Sequence, residues 1–163
     1  SNSKSSNSKL AWPFGYGLSY TTFEYKHLLM DQSARVSADY VKLSFEVKNT
    51  GKMAATEIAQ VYLSPAMNSP LTPHLSPLKL QGFARVALEP GQTKRVEMKL
   101  YTDQFGYYTN DGQRQWNIQP GTYTIKVGAS SADIRLEQDI TLKGEKVTKA
   151  LRDHYFSEVE VTD

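Results

Sequence analysis

YVKLSFEVKN, Tyr40 to Asn49, decides how the rest of this chain is read. Val41, Leu43, Phe45 and Val47 alternate with Lys42, Ser44, Glu46 and Lys48, a period of two that turns one face of an extended segment apolar and the other polar. A strand buried on one side has that period; a helix does not. Working outward, the same reading holds for Ala59, Val61 and Leu63, for Phe83, for Val96, Met98 and Leu100, for Tyr123, Ile125 and Val127, and for Ile140 and Leu142. Between these runs sit turn formers: Asn49-Thr50-Gly51, Glu89-Pro90-Gly91, Asn110-Asp111-Gly112 and Gln119-Pro120-Gly121. No long run carries a helical period.

About seven strands punctuated in this way predict an all-β fold, an antiparallel β-sandwich of immunoglobulin-like or fibronectin type III-like architecture. Two stretches interrupt the pattern. SPAMNSPLTPHLSP, Ser64 to Pro77, carries four prolines, which cannot donate to a ladder, so it reads as a long surface loop. Gly144 to Asp163 reads as a tail, with a short amphipathic helix through Val147, Ala150, Leu151 and Tyr155 expected in its middle portion, and with docked and frayed as equal alternatives for the whole.

Composition narrows the function classes. The chain has 163 residues, enough for one domain with its own core, and no cysteine, so a small disulfide-stapled scaffold is excluded. Its 19 basic residues are scattered among strand-like positions and its net charge is +2, so no nucleic-acid stripe is present and none is expected as a partner. No apolar run approaches the roughly 18 to 20 residues of a membrane span. Residues 1–11, mostly SNSKSSNSK, read as a linker or cloning remnant, and 12–143 as the sandwich domain.

The segment PFGYGLSYTTFEY, Pro13 to Tyr25, is unusual for the start of a sandwich. Pro13, Gly15 and Gly17 forbid a helix, yet Phe14, Tyr16, Tyr20, Phe23 and Tyr25 present more ring surface than one edge strand covers. Residues 12–22 are therefore read as an extended strap. Something has to cover those rings, either this domain's own core or a neighbour.

These residues carry a family resemblance. PFGYGLSYTTFEY, then VKNTG, QVYLS, LQGFARVALEPGQTKRVEMKL and WNIQPGTYTIKVGASSADIRL resemble, in order, the fibronectin type III-like domain that closes many glycoside hydrolase family 3 enzymes, among them β-glucosidases and β-xylosidases. The resemblance runs from Trp12 to Leu142. It implies that the strap leaves a preceding α/β domain, with Pro13, Phe14, Gly15, Tyr16, Gly17, Leu18, Ser19 and Tyr20 as the interface with it, against the competing reading that these rings pack only on the sandwich's own core. The partners it implies are catalytic domains of the same polypeptide, and the implied substrate of the whole enzyme is an oligo- or polysaccharide. It also implies a periplasmic or extracellular bacterial enzyme. The chain departs from the family where a charged stretch resembling RPVKELKGF is replaced by LSPLKLQGFARV, which keeps Lys79 but lacks an acidic neighbour. Met67, Asn68 and His74 lie in the proline-rich loop, to which the resemblance assigns nothing.

Catalysis by this stretch is not expected. A retaining glycosidase needs two carboxyl groups about 5 Å apart. By resemblance, the nucleophilic Asp belongs to a Ser-Asp-Trp context in the barrel domain, and that tripeptide does not occur here. Lys26-His27 is similar to a substrate-binding pair of the barrel but stands without its motif. Asp103, Asp111 and Asp133 are read as single turn residues. His27, His74 and His154 match no metal spacing, so neither metal nor cofactor is expected. The chain is thus read as a non-catalytic accessory domain. The alternative is a carbohydrate-binding or adhesion-type module, with Tyr107, Tyr108 and Trp116 around the Asn110-Asp111-Gly112 turn as candidate sugar contacts, against the competing reading that these rings pack across a hairpin.

Overall fold

The computed structural model of the chain describes residues 22–66 and 78–163. The strap residues Pro13–Tyr20 and most of the proline-rich loop lie outside the described residues. Among the described residues twelve strands follow in chain order: β1 (Phe23–Met30), β2 (Ser33–Arg35), β3 (Tyr40–Asn49), β4 (Ala55–Pro65), β5 (Lys79–Leu88), β6 (Thr93–Tyr101), β7 (Gly106–Asn110), β8 (Arg114–Ile118), β9 (Gly121–Ser130), β10 (Asp133–Lys143), β11 (Val147–Lys149) and β12 (Glu158–Thr162). A 3₁₀ turn, Thr102–Phe105, joins β6 to β7. Seven of the strands, β1, β3, β4, β5, β6, β9 and β10, have eight residues or more and form the sandwich proper. The other five are short additions at its edges and end, which is why the total exceeds the seven expected.

One sheet has the order β12-β6-β3-β1 and the facing one β2-β10-β9-β4-β5, while β11-β8-β7 forms a small third sheet. Among the described residues all pairings are antiparallel except that of β2 with β10. Val41, Leu43, Phe45 and Val47 from β3 enter the core as the alternation predicts. There they join Val96, Met98 and Leu100 from β6, Val61 and Leu63 from β4, and Tyr123, Ile125 and Val127 from β9. Each large apolar side chain buried this way contributes about 1.5–3 kcal/mol. Two polar devices fix the ends of the layers. The buried Asn49 amide donates to the carbonyls of Met53 and Leu88 and its Oδ1 accepts from the Gly51 amide, which holds the Asn-Thr-Gly turn. The Tyr123 hydroxyl donates to the Gln119 carbonyl four residues upstream, locking the Gln-Pro-Gly corner.

Phe83 departs from expectation. A bulge in β5 pairs Val61 with Gly82 but Tyr62 with Leu80, and from there Gly82, Ala84, Val86 and Leu88 face inward. Phe83 falls on the opposite parity and is 51% exposed. Three aliphatic residues on one face outweigh a single ring on the other.

The expected short helix in the tail does not form. Val147–Lys149 pairs with β8, and Glu158–Thr162 adds β12 to the edge of β6, with Val159 and Val161 packed on the core. β-branched residues in alternation favour an edge they can join over a helix they would crowd. The tail is therefore docked along its length, and β12 also packs beside β5 of the facing sheet.

Gly128 sits at a bulge between β9 and β10, where an added Cβ would meet the Asp133 carbonyl oxygen at 2.0 Å and the Ile134 Cα at 2.8 Å. Backbone atoms cannot swing aside as a side chain can. Gly128→Ala is therefore expected to destabilise the domain by about 2 kcal/mol or more, measured by urea unfolding, because the strands must part to admit a methyl group.

Candidate functional site

The most developed polar arrangement lies where the 3₁₀ turn, the small sheet and the docked tail meet. Asp103 is the one acidic residue buried among the described residues, 6% exposed. Its Oδ2 accepts hydrogen bonds from the backbone N–H groups of Asp153 and His154 at 2.6 and 3.1 Å, and its Oδ1 lies 3.0 Å from His154 Nδ1. The Lys149 ammonium stands 3.9 Å away and makes a closer pair, 2.7 Å, with Asp153. That lysine holds the Asp153 carboxyl below its ordinary range, by hydrogen bond and by charge. The His154 ring stacks on Tyr101 with centroids 3.6 Å apart. Asp103, read from sequence as a solitary turn residue, is thus the anchor of the tail. Its tail partners stand about 50 positions away in the chain, beyond the reach of any local motif.

A second knot lies alongside. Gln104 Nε2 donates to Gln81 Oε1 at 2.9 Å and to the Gln81 carbonyl, which also accepts from the Ser157 amide. Gln104 Oε1 in turn accepts from the Tyr101 amide and the Ser157 hydroxyl. Both glutamine side chains are fully buried. A buried amide left unpaired costs about 1–3 kcal/mol, so this knot specifies where the tail crosses β5.

The candidate sugar contacts stand next to these knots. Trp116 and Tyr108 pack edge to face, 4.7 Å between centroids, as cross-strand neighbours of the β7–β8 hairpin. Trp116 is 2% exposed and donates from Nε1 to the Asp103 carbonyl at 2.7 Å. Tyr107 is half-buried, with its hydroxyl directed to Gln119. The Lys79 ammonium lies 5.0 Å from the Trp116 ring centre, the Arg152 guanidinium 4.7 Å from it, and Arg114 4.1 Å from that of Tyr108. A pyranose stacking on Trp116 would first have to displace cations that already occupy its surroundings. Sequence reasoning singled out Trp116 and Lys79 separately; it had no signal that Arg152 would join them.

The remaining candidates are dispersed. Lys26 pairs with Glu24, and His27, at a bulge of β1 with φ 58°, pairs with Glu46. Asp133 is held by Arg135, whose guanidinium keeps its carboxyl below the ordinary range. Among the described residues no three His, Cys, Asp or Glu side chains are grouped as a metal would need, and no helix is long and apolar enough to cross a membrane.

Known proteins match this architecture. Residues 57–131 match the fibronectin type III-like domain family. The chain is 42% identical over 143 residues to a β-glucosidase of Kluyveromyces marxianus, covering 83% of this chain and 16% of that protein. It is 38% identical over 129 residues to thermostable β-glucosidase B of Acetivibrio thermocellus, covering 79% and 17%. The solved structure of β-glucosidase 3B from Thermotoga neapolitana superposes with a TM-score of 0.68 at 30% identity, over 86% of this chain and 18% of that one. The sandwich belongs to the fibronectin type III-like domain family, in the form carried by β-glucosidases of glycoside hydrolase family 3. The chain spans only 16–17% of the length of these curated relatives.

Two outcomes test the site. Asp103→Ala removes the acceptor of three tail contacts and is expected to destabilise the chain by about 2–4 kcal/mol in urea unfolding, with faster proteolytic cleavage after Gly144. The second outcome concerns Lys79. Burial, reinforced by the Arg152 charge, lowers its ammonium from 10.5 to about 8. A lysine depressed in the folded state penalises folding while it is charged, so stability rises as pH climbs from about 8 toward 10.5. Tyr25 and Tyr123, raised by burial above their ordinary 10.0, oppose this only from about pH 10 upward. Between pH 8 and 10 the wild-type melting temperature should therefore rise relative to that of Lys79→Met.

Proposed function

We propose that this chain is a non-catalytic accessory domain that braces the catalytic part of a retaining, exo-acting β-glucosidase-type enzyme. The observation that carries the proposal is one of scale. Four fifths of the chain aligns with β-glucosidases of which it makes up about one sixth. Asp103, the buried carboxylate, is engaged by the tail through its backbone and His154, an arrangement suited to holding a segment in place. In this reading the aromatic residues of the strap, Phe14, Tyr16 and Tyr20, fill the seam with the catalytic part, and Gly15 and Gly17 allow close backbone approach. The enzyme acts on terminal β-linked sugars of an oligo- or polysaccharide in the periplasm or outside a bacterial cell.

The strap supplies the test. Phe14→Ala with Tyr16→Ala, introduced into the full-length enzyme, is expected to lower its melting temperature and its turnover of an aryl β-glucoside. The same pair in the 163-residue chain should leave urea unfolding nearly unchanged. Equal destabilisation in both contexts would place the rings in the sandwich's own core and defeat the bracing role.

A further inference from the structure

Two cations meet beside Trp116 without a counter-ion among the described residues. The Lys79 ammonium and the Arg152 guanidinium both lie within 5.0 Å of its ring centre, and Arg152 also lies 3.9 Å from the ring centre of Tyr155. Nε and Nη1 of Arg152 are buried with no hydrogen-bond partner among the described residues. The charges that shift the Lys79 ammonium include no carboxylate; burial and the Arg152 charge both push it down. Elsewhere on this domain the pattern is different: Arg135, Lys126, Lys149 and Lys99 each stand against an acidic side chain.

The missing partner has no source within the chain. All 17 Asp and Glu residues of the sequence fall in 22–66 and 78–163, and residues 1–21 and 67–77 contain none. None of those 17 makes an ion pair with Lys79 or Arg152 among the described residues. The site reaches solvent, since Lys79 and Arg152 are both only partly buried and Tyr155 is 54% exposed. Two desolvated like charges repel, and a neutral sugar would relieve neither. A carboxylate relieves both at once, and a planar guanidinium is the side chain best suited to bind one.

We propose that Lys79 and Arg152, gathered beside Trp116, are a docking site for an Asp or Glu side chain from the remainder of the polypeptide that carries this domain. The proposal rests on the accessory-domain reading and adds to it a second seam with a defined chemistry.

Zero-length cross-linking tests it directly. A water-soluble carbodiimide joins an amine to a carboxylate only when the two are in contact. In the monomeric band of the full-length enzyme, peptide mapping is expected to find Lys79 joined to an Asp or Glu outside residues 1–163. Lys79→Arg should abolish that peptide while retaining the docking charge, and Arg152→Met should reduce its yield. A Lys79 joined to an acid within residues 1–163, or left unjoined, would overturn the inference. If other lysines of the domain still link to the rest of the enzyme in that case, the bracing role stands and only this seam falls. If none do, this seam falls all the same, and the strap variants alone decide the bracing role.

Discussion

Burial of two alternating rows of side chains against each other is the constraint on which the rest of this molecule depends. Val41, Leu43, Phe45 and Val47 occupy one wall of the core, and Val61, Leu63, Tyr123, Ile125 and Val127 the other. The side-chain period of a strand is two, so a slip of one residue in either sheet would carry a whole row to solvent. The turns can therefore be short and the register is set from within. The bulges at Lys26–Leu29, at Gln81 and at Gly128 absorb local mismatch without moving the rows.

The tail shows how polar groups work within such a fold. Two three-to-five-residue strands, β11 and β12, bury little alone, and exposed ion pairs such as Lys149–Asp153 contribute less than about 1 kcal/mol. What holds the intervening segment is buried: the Asp103 carboxylate accepting successive backbone amides, and the Gln81–Gln104 knot receiving Ser157. Each group would be costly to leave unpaired, so the tail has one path across the small sheet. That path carries Arg152 to Trp116 and Tyr155. A structural device thereby produces the cationic cluster through which the domain is proposed to meet its neighbour.

An accessory domain in a large enzyme has to be rigid internally and adhesive at defined places. The sandwich meets the first requirement with a continuous core. For the second, the proposed seams differ in character: an aromatic strap that gains by leaving water, and a cation pair that gains by meeting charge. Apolar contact supplies affinity and charge complementarity supplies orientation, so two seams of these kinds would fix both the distance and the angle of the domain.

The sequence by itself determined the layers. Alternation in Tyr40–Asn49 and its counterparts, with Gly and Pro at the turns, specified strands and their inward faces, because both signals are local and each has one physical reading. The family resemblance was equally legible, since it is carried by contiguous motifs. Local pattern failed at Phe83, where a bulge reset the parity, and at the tail, where free edges of β6 and β8 drew alternating valines into strands. Only the tertiary structure decided that Asp103 anchors residues 153 and 154, and that Lys79, Trp116 and Arg152 converge. Those partners lie tens of residues apart, and what joins them is the closing of the sandwich, which no window of sequence contains.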